Sequence, residues 1–138
     1  MSIYISTDKG KLDVSKIHQY ISVESYWGKE RTIAEVKTTI ENSFCFGMYD
    51  QNDNQIGFTR LVTDYVLFAY LMDVIVFPEY QGSGYGKKLV AHIMSHEIIK
   101  KVKTVALKTK DAHELYAKHG FKVVGDSPMW MSIDKLIL

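Results

Sequence analysis

Cysteine is nearly absent from this sequence of 138 residues, and its scarcity limits the chemistry available. The single cysteine, Cys45, cannot form an internal disulfide, which is typical of a protein from a reducing compartment. Cys45 alternates with phenylalanines along a short apolar run. We therefore interpret it as a strand residue rather than as an activated nucleophile.

An excess of one charge sign is also missing. The formal net charge is +1, from 17 Lys and Arg residues and 16 Asp and Glu residues. A nucleic-acid-binding protein normally carries a strong basic excess, so no nucleic-acid partner is expected. His92 and His96 have the helical spacing that zinc favours, but no third-ligand motif accompanies them. The sequence therefore predicts no metal site.

Long hydrophobic runs are missing as well. The longest apolar stretch, residues 66–77, is interrupted by Asp73 and falls short of the roughly 20 residues that a membrane-spanning helix needs. The first residues show no charged region followed by an apolar run, so no signal peptide is expected. We expect a soluble cytoplasmic protein that does not enter a membrane. No repeat or linker interrupts the chain, so residues 1–138 are expected to form one domain.

The most informative stretch that is present runs from Asp73 to Lys88. Residues 74–77 are apolar and mostly β-branched, which favours a buried strand, and Pro78 ends that strand. Glycine then occupies positions 82, 84 and 86, and an apolar stripe at helical spacing begins at Leu89. The first amides of a helix lack partners, and glycines let a bulky anion approach them. The order strand, glycine-rich turn and helix therefore predicts a phosphate site.

Two common phosphate motifs do not fit this turn. The dinucleotide fingerprint would need glycine at position 87, where Lys87 stands, and the phosphate loop of nucleotide hydrolases would need glycine at position 81, where Gln81 stands. The pattern that fits is Gln-x-x-Gly-x-Gly over residues 81–86. A glycine turn that binds nothing is the alternative interpretation.

Alternation and helical periodicity predict the remaining elements. The expected fold class is α/β, or α+β by stricter naming: a mixed, mostly antiparallel central sheet with a central parallel pair, flanked by about four helices. The predicted strands are residues 2–6, 43–49, 55–62, 66–77, 104–108, 121–124 and 129–133. The predicted helices begin at Asp13, near Glu30, after the glycine turn (ending near Lys100) and at Asp111.

A second motif agrees with the first. Residues 112–121 contain Ala112, then Leu115-Tyr116, then Gly120-Phe121. Together with Gln81–Gly86 and the order of elements, this segment resembles the GNAT superfamily of N-acetyltransferases over nearly the whole chain. The resemblance implies acetyl-CoA as co-substrate, with its pyrophosphate on the backbone amides of the glycine turn and its pantetheine arm along the preceding strand. The implied donor-site residues are Val74, Ile75, Val76, Gln81, Gly82, Ser83, Gly84, Tyr85, Gly86, Lys87 and Thr109, although Thr109 stands where many members have asparagine.

The resemblance and the chemistry together name two catalytic candidates. Tyr116 stands where family members keep the tyrosine that protonates the departing CoA thiolate. The acceptor must be a neutral amine, and because an alkyl amine has a pKa near 10, a base is needed. Asp73, at the start of the buried strand segment, is the first choice for that base, with an ion pair as the alternative. Asp64 and Glu79 are weaker choices. The backbone amide of Val76 is the expected oxyanion donor.

The acceptor side is less defined. The family implies an acceptor against the loop between the first two helices, where Tyr26 and Trp27 could form an aromatic wall, with Arg60 and Tyr70 on the facing strands. Arg60 either holds a substrate carboxylate or pairs with an acid. The sequence thus predicts direct transfer of an acetyl group to a primary amine, on a small molecule or a peptide, by a monomer or homodimer. The alternatives are a non-catalytic acyl-CoA-binding module and an unrelated nucleotide-binding domain.

Overall fold

A mixed sheet of five strands runs through the molecule in a computed structural model, which describes residues 2–125 and 127–135. Strand order along the sheet follows the chain, from β1 at one edge to β5 at the other. β1 to β4 pair antiparallel, and β4 and β5 pair parallel. The predicted fold class is confirmed. The strands are β1 (Ile3–Ser6), β2 (Phe44–Asp50), β3 (Gln55–Thr63), β4 (Phe68–Val76) and β5 (Thr104–Leu107).

Five α-helices lie in the described residues, each beginning where the local sequence supplies a cap or a turn. The Asp13 side chain accepts a hydrogen bond from the Lys16 amide, and Thr32 with Glu35 forms a reciprocal capping box. The helices are α1 (Val14–Gln19), continued by a π-helical turn (Tyr20–Glu24), α2 (Ile33–Glu41), α3 (Tyr85–Met94), α4 (Glu97–Lys101) and α5 (His113–Ala117).

Two helix predictions need correction. The helix expected to run to about Lys100 is broken into α3 and α4, because His96 adopts an extended conformation and its ring accepts a hydrogen bond from the Ile98 amide. Asp111 does not cap α5. The N-cap position belongs to Ala112, whose N–H donates to the hydroxyl of Thr109 instead.

The strands predicted at residues 121–124 and 129–133 are not formed in the described residues. Met129, Met131 and Ile133 are about nine-tenths exposed, at 88%, 92% and 90%. A β-branched or apolar run needs a paired, half-buried surface to become a strand, and propensity alone does not provide one. As a result the parallel pair, expected at the centre, lies at one edge of the five-stranded sheet.

The parallel pair is short, and this opens a gap in the sheet. β4 and β5 pair from Phe68 with Thr104 to Leu71 with Leu107, and β4 then continues alone to Val76. Opposite this free half, β4 carries a bulge against β3: Phe58 pairs with Ile75 and Arg60 with Met72, so one residue of β3 faces two of β4. Beyond Leu71, β4 is therefore no longer paired with β5.

Each face of the sheet carries its own apolar cluster. One cluster joins the sheet to α3, α4 and α5 and contains Leu71, Leu89 and Tyr116. The other joins the opposite face to α1 and α2 and contains Ile17, Phe58 and Ile75. The gap between β4 and β5 can thus be reached from two sides. Within the described residues, no helix has both the length and the apolar character needed to cross a bilayer.

Candidate active site

The glycine turn adopts a conformation that requires glycine at two positions. Gly82 and Gly84 have φ angles of +86° and +84°, in the left-handed region that is costly for residues with a Cβ. Open space surrounds both positions, since a Cβ there would meet no atom within 4 Å. The turn is therefore shaped by its backbone, not by packing, and alternating left-handed residues of this kind form anion-binding concavities.

Backbone amides converge on this turn without partners. The N-cap Gly84 supplies no side-chain cap, and the first bond of α3 joins Lys88 N–H to the Gly84 carbonyl at 3.2 Å. Within the described residues, the amides of residues 82–87 take part in no backbone hydrogen bond. The positive end of the α3 dipole adds to their field. Such an array can hold a diphosphate.

Gln81 was predicted to offer its amide to the pyrophosphate, but in the structure it stabilises the turn. Its own amide donates to the Pro78 carbonyl at 3.2 Å, so it is not free for a ligand. Its side-chain Nε2 donates to the Val76 carbonyl at 2.8 Å. Gln81 therefore fixes the turn against the end of β4, and the anion-binding amides begin at Gly82.

Two cavities adjoin the turn. One, of about 210 Å³, is lined by the end of β4 and by the glycine turn itself, including Val76, Gln81 and Gly86. The other, of about 580 Å³, lies between Lys87 and α5 and includes His113 and Lys118. A ligand held by the amides of the turn would have space on both sides, and the second cavity is lined by both basic (Lys87, Lys118) and acidic (Asp111, Glu114) side chains.

The free half of β4 presents backbone groups to the gap. Phe77 N–H donates to Ile56 of β3 at 2.9 Å, and Ile75 pairs with Phe58 of the same strand. Because backbone groups alternate along a strand, those of Val74 and Val76 point to the other edge, where β5 has separated. Two of the three predicted strand positions thus face the gap, whereas the Ile75 backbone faces β3.

Tyr116 lies on α5 and belongs to the same apolar cluster as Leu71 and Leu89. It is 7% exposed, and its ring packs edge-on against Phe121 at 5.8 Å. Burial raises the pKa of Tyr116 to about 12, with smaller contributions from Tyr26 and Asp111. The hydroxyl is therefore protonated at any physiological pH. Thr109 is taken up in capping α5 by its bond to Ala112.

Asp73 occupies the bulge of β4 in an unusual conformation, with φ +54°. Its side chain is 3% exposed, and its Oδ2 accepts hydrogen bonds from Arg31 Nη1 and from Arg60 Nε, each at 2.7 Å. The ion pair named as the alternative for both Asp73 and Arg60 is therefore present. Arg60 is 5% exposed at its side chain and also donates to Ser43 and Met72, so all three of its nitrogens already bond within the protein.

The two weaker candidates for the base are occupied elsewhere. Asp64 lies before β4, at the end away from the glycine turn, where hydrogen bonds from the amides of residues 66, 68 and 67 lower its pKa. Glu79 is paired with Lys16, which lowers the pKa of the Glu79 carboxyl. Neither carboxylate adjoins the gap as Asp73 does.

The remaining predicted acceptor residues, Tyr26, Trp27 and Tyr70, have different surroundings. Trp27 is half-buried under the guanidinium of Arg31, at 5.5 Å. The Tyr26 hydroxyl accepts a hydrogen bond from the Lys110 amide at 3.1 Å. Tyr70 is half-buried on β4, and burial raises its pKa. Trp27 thus packs with the cluster of α1 and α2, whereas Tyr26 bonds to the segment that follows β5, and the aromatic wall for an amine stays a prediction.

Sequence reasoning missed two residues of this region. Arg31 holds Asp73, and Tyr20 stands edge-on to Phe77 at 6.1 Å. Burial raises the pKa of Tyr20, and the nearby Gln81 side chain partly offsets this rise. Tyr20 begins the π-helical turn, an irregularity that is frequent at functional sites but has no simple sequence signature.

Comparison with known proteins places this geometry in a family. The acetyltransferase (GNAT) domain profile matches residues 41–123. A crystal structure of a GNAT-family protein from Xanthomonas campestris, provisionally named an acetyltransferase, is 37% identical with a TM-score of 0.86 and covers 96% of this chain and 94% of that protein. A provisionally named acetyltransferase of Gibberella zeae is 27% identical over 136 residues, which cover 83% of this chain and 76% of that protein.

The fold also matches a more distant enzyme. The structure of spermidine N-acetyltransferase from Vibrio cholerae, in complex with CoA and spermine, has a TM-score of 0.66 at 22% identity and covers 86% of this chain and 79% of that one. The matched profile spans the glycine turn, the open strand and Tyr116. The chain therefore belongs to the GNAT family of acetyl-CoA-dependent acetyltransferases.

Proposed function

We propose that this protein transfers the acetyl group of acetyl-CoA directly to a primary amine on a small molecule, within one ternary complex. The observation that carries the proposal is the run of unpartnered amides at residues 82–87, placed directly beside the open edge of β4. These amides bind the pyrophosphate of the donor, and Val74 and Val76 extend the sheet by pairing with its pantetheine arm. Lys87 and α5 border the cavity for the nucleotide end.

The gap supplies what the transition state needs. The carbonyl oxygen of a thioester gains negative charge as the amine attacks. The N–H groups of Val74 and Val76 are the donors that face the gap, and Val76 is the one predicted from the sequence. A fixed backbone donor in a site with little water stabilises this charge without reorganisation.

Tyr116 acts on the leaving group. A thiol has an ordinary pKa of about 8.5, so complete proton transfer from a phenol whose pKa is about 12 is uphill by roughly 5 kcal/mol. Tyr116 therefore donates a hydrogen bond to the sulfur as its charge develops. Full protonation of the thiolate follows as the attacking nitrogen becomes an amide, because the proton that this nitrogen loses balances the one that the sulfur gains.

Asp73 acts on the attacking amine. Both arginines bond to its Oδ2, which leaves Oδ1 outside the ion pair. We propose that Oδ1 holds the acceptor nitrogen and receives its proton, directly or through water. The arginines keep this carboxylate in place at the bulge, so its position is set before the acceptor binds.

Direct transfer is favoured over an acyl-enzyme route. Burial raises the pKa of the Cys45 thiol to about 11, and the residue is 2% exposed between the sheet and α2. An activated cysteine needs a lowered pKa and access to substrate, and Cys45 has neither. Its reduced, buried state also suits the cytoplasmic location predicted from the sequence.

The test uses donor binding and turnover together. Isothermal titration calorimetry with CoA should show binding, and release of CoA should be followed with acetyl-CoA and an amine panel that includes spermidine, amino acids and lysine peptides. Tyr116→Phe should lower kcat at least tenfold while the Kd for CoA changes less than twofold, because the ring and its packing remain. If the wild type binds CoA but acetylates no amine, the chain is a binding module instead.

A further inference from the structure

The loop between the π-helical turn and α2, residues 25–31, is fixed at two points, and we call it the strap. Its first anchor is Arg31, which bonds to Asp73 Oδ2 at 2.7 Å and lies over the Trp27 ring. The carbonyl of Arg31 also contacts the His18 ring nitrogen at 3.0 Å, and its amide donates to Gly28 at 3.0 Å. This end of the strap is thus bound to β4.

The second anchor lies at the other end of the strap. The Tyr26 hydroxyl accepts a hydrogen bond from the Lys110 amide at 3.1 Å, and the Lys110 ammonium lies 5.3 Å from the centroid of the Tyr26 ring. Lys110 belongs to the segment that leaves β5. The strap therefore contacts both β4 and the segment after β5, beyond the last residues through which these two strands pair.

The positions of the two anchors show what the strap covers. Leu71 and Leu107 are the last residues through which β4 and β5 pair. Asp73 follows Leu71 by two residues, and Lys110 follows Leu107 by three. The anchors therefore stand on opposite sides of the gap, just beyond the point where it opens. The strap crosses the closed end of the gap, where Asp73 lies.

The strap lies on the face opposite the donor site. Trp27 packs with the cluster of α1 and α2, whereas Tyr116 and α3 belong to the other cluster. Tyr26 is nevertheless close enough to contribute to the electrostatic environment of Tyr116. A donor bound at the glycine turn and an acceptor approaching from the face of α1 and α2 would meet under the strap.

We infer that the strap restricts the acceptor to slender amines on unbranched chains, and that Tyr26 is the residue that sets this specificity. The inference rests on the proposed acetyl transfer. A bulky acceptor, such as a lysine within a folded peptide segment, would have to displace Tyr26 from Lys110. A narrow amine needs a smaller opening beside the strap to reach Asp73. Release of the Tyr26 anchor should therefore widen the range of acceptors.

The experiment compares kcat/KM for n-butylamine with kcat/KM for a lysine-containing tripeptide that has blocked termini. Tyr26→Ala should raise the ratio of kcat/KM for the peptide to kcat/KM for butylamine at least tenfold. Tyr26→Phe, which keeps the ring but loses the acceptor oxygen, should raise this ratio less. Tyr65→Ala is the matched control, since Tyr65 is similarly exposed (48% against 39%) but lies at the hairpin before β4. Its ratio should equal that of the wild type.

A second measurement follows the anchor without catalysis. Exchange of the Lys110 amide proton, measured by NMR, should be faster in Tyr26→Phe than in the wild type, because its acceptor has been removed. An unchanged ratio in Tyr26→Ala, or a wild type that prefers the peptide, overturns the inference and leaves the proposed function standing. CoA binding without turnover of any amine would instead refute the proposed function, and this inference with it.

Discussion

Gly86 offers a direct test of the amide array because the fold does not require glycine there. Its φ angle is not in the left-handed region, and a Cβ would lie 3.7 Å from Val76 Cγ2, an ordinary contact. Gly86 is the second residue of α3, where alanine is the better helix former. Gly86→Ala should therefore leave the unfolding free energy unchanged or raise it by up to about 1 kcal/mol.

Binding of CoA should respond in the opposite direction. Side chains in a helix tilt toward its N-terminus, so the new methyl group would lean toward the anion site and into the cavity that Gly86 shares with Val76. A displaced pyrophosphate loses one or more hydrogen bonds to backbone amides. Each hydrogen bond to a charged group contributes about 1.5–3 kcal/mol. The loss of one corresponds to a 10- to 150-fold weaker Kd, by about 1.4 kcal/mol per factor of ten.

The assay is calorimetric titration with CoA, combined with thermal melting of the same samples. Gly125→Ala is the matched control, because a Cβ there also meets only an ordinary contact, at 3.9 Å. Gly84→Ala would be less informative, since its φ of +84° adds backbone strain to any effect on binding. If Gly86→Ala is as stable as the wild type and binds CoA within twofold, the amides of residues 82–87 do not hold the pyrophosphate.

Two further predictions concern buried phenols. Tyr49 is 1% exposed, and its hydroxyl has no partner in the described residues. Tyr49→Phe should therefore raise the free energy of unfolding in urea by about 1 kcal/mol, whereas Tyr4→Phe, which loses a hydrogen bond to Asp53, should not. A Tyr49→Phe variant that is less stable than the wild type would contradict this reasoning. Burial raises the pKa of both Tyr49 and Tyr116 to about 12, above the ordinary 10. Since the folded state keeps these protons longer, the unfolding free energy should fall between pH 10 and pH 12, by up to about 2.7 kcal/mol for each group. Urea unfolding at several alkaline pH values measures this fall, and the free energy of unfolding of Tyr49→Phe should fall less steeply than that of the wild type. A free energy of unfolding that stays constant up to pH 11.5 would contradict the prediction.

The glycine turn and the start of α3 were predictable because their sequence signals are local. The turn at residues 81–86 is specified by the spacing of three glycines, and the helix that follows by an apolar stripe beginning at Leu89. A phosphate site of this type needs only a strand end, a glycine turn and a helix N-terminus. All three lie within consecutive residues, so no distant contact had to be inferred.

The acceptor side was harder because it depends on contacts between distant segments. The bond of Arg31 to Asp73 spans 42 residues of sequence, and that of Tyr26 to Lys110 spans 84. Neither pair has a local pattern. The strands expected at residues 121–124 and 129–133 show the converse limit, since alternation predicted a strand where the described structure provides no paired partner.

One irregularity of β4 links the parts of the site. The bulge inserts Asp73 into the strand, so Leu71 and Val74, three residues apart, both pack toward α3, whereas in a regular strand they would face opposite sides. Beyond it, β4 is no longer paired with β5, which leaves the backbone of Val74 and the N–H of Val76 free. The conformation of Asp73 costs about 1–3 kcal/mol, and two charge-assisted hydrogen bonds from Arg31 and Arg60 can offset it. The bulge at Asp73 is therefore the single structural cause of the open gap, of the backbone donors that face it and of the position of its carboxylate. The strap crosses the gap at this point.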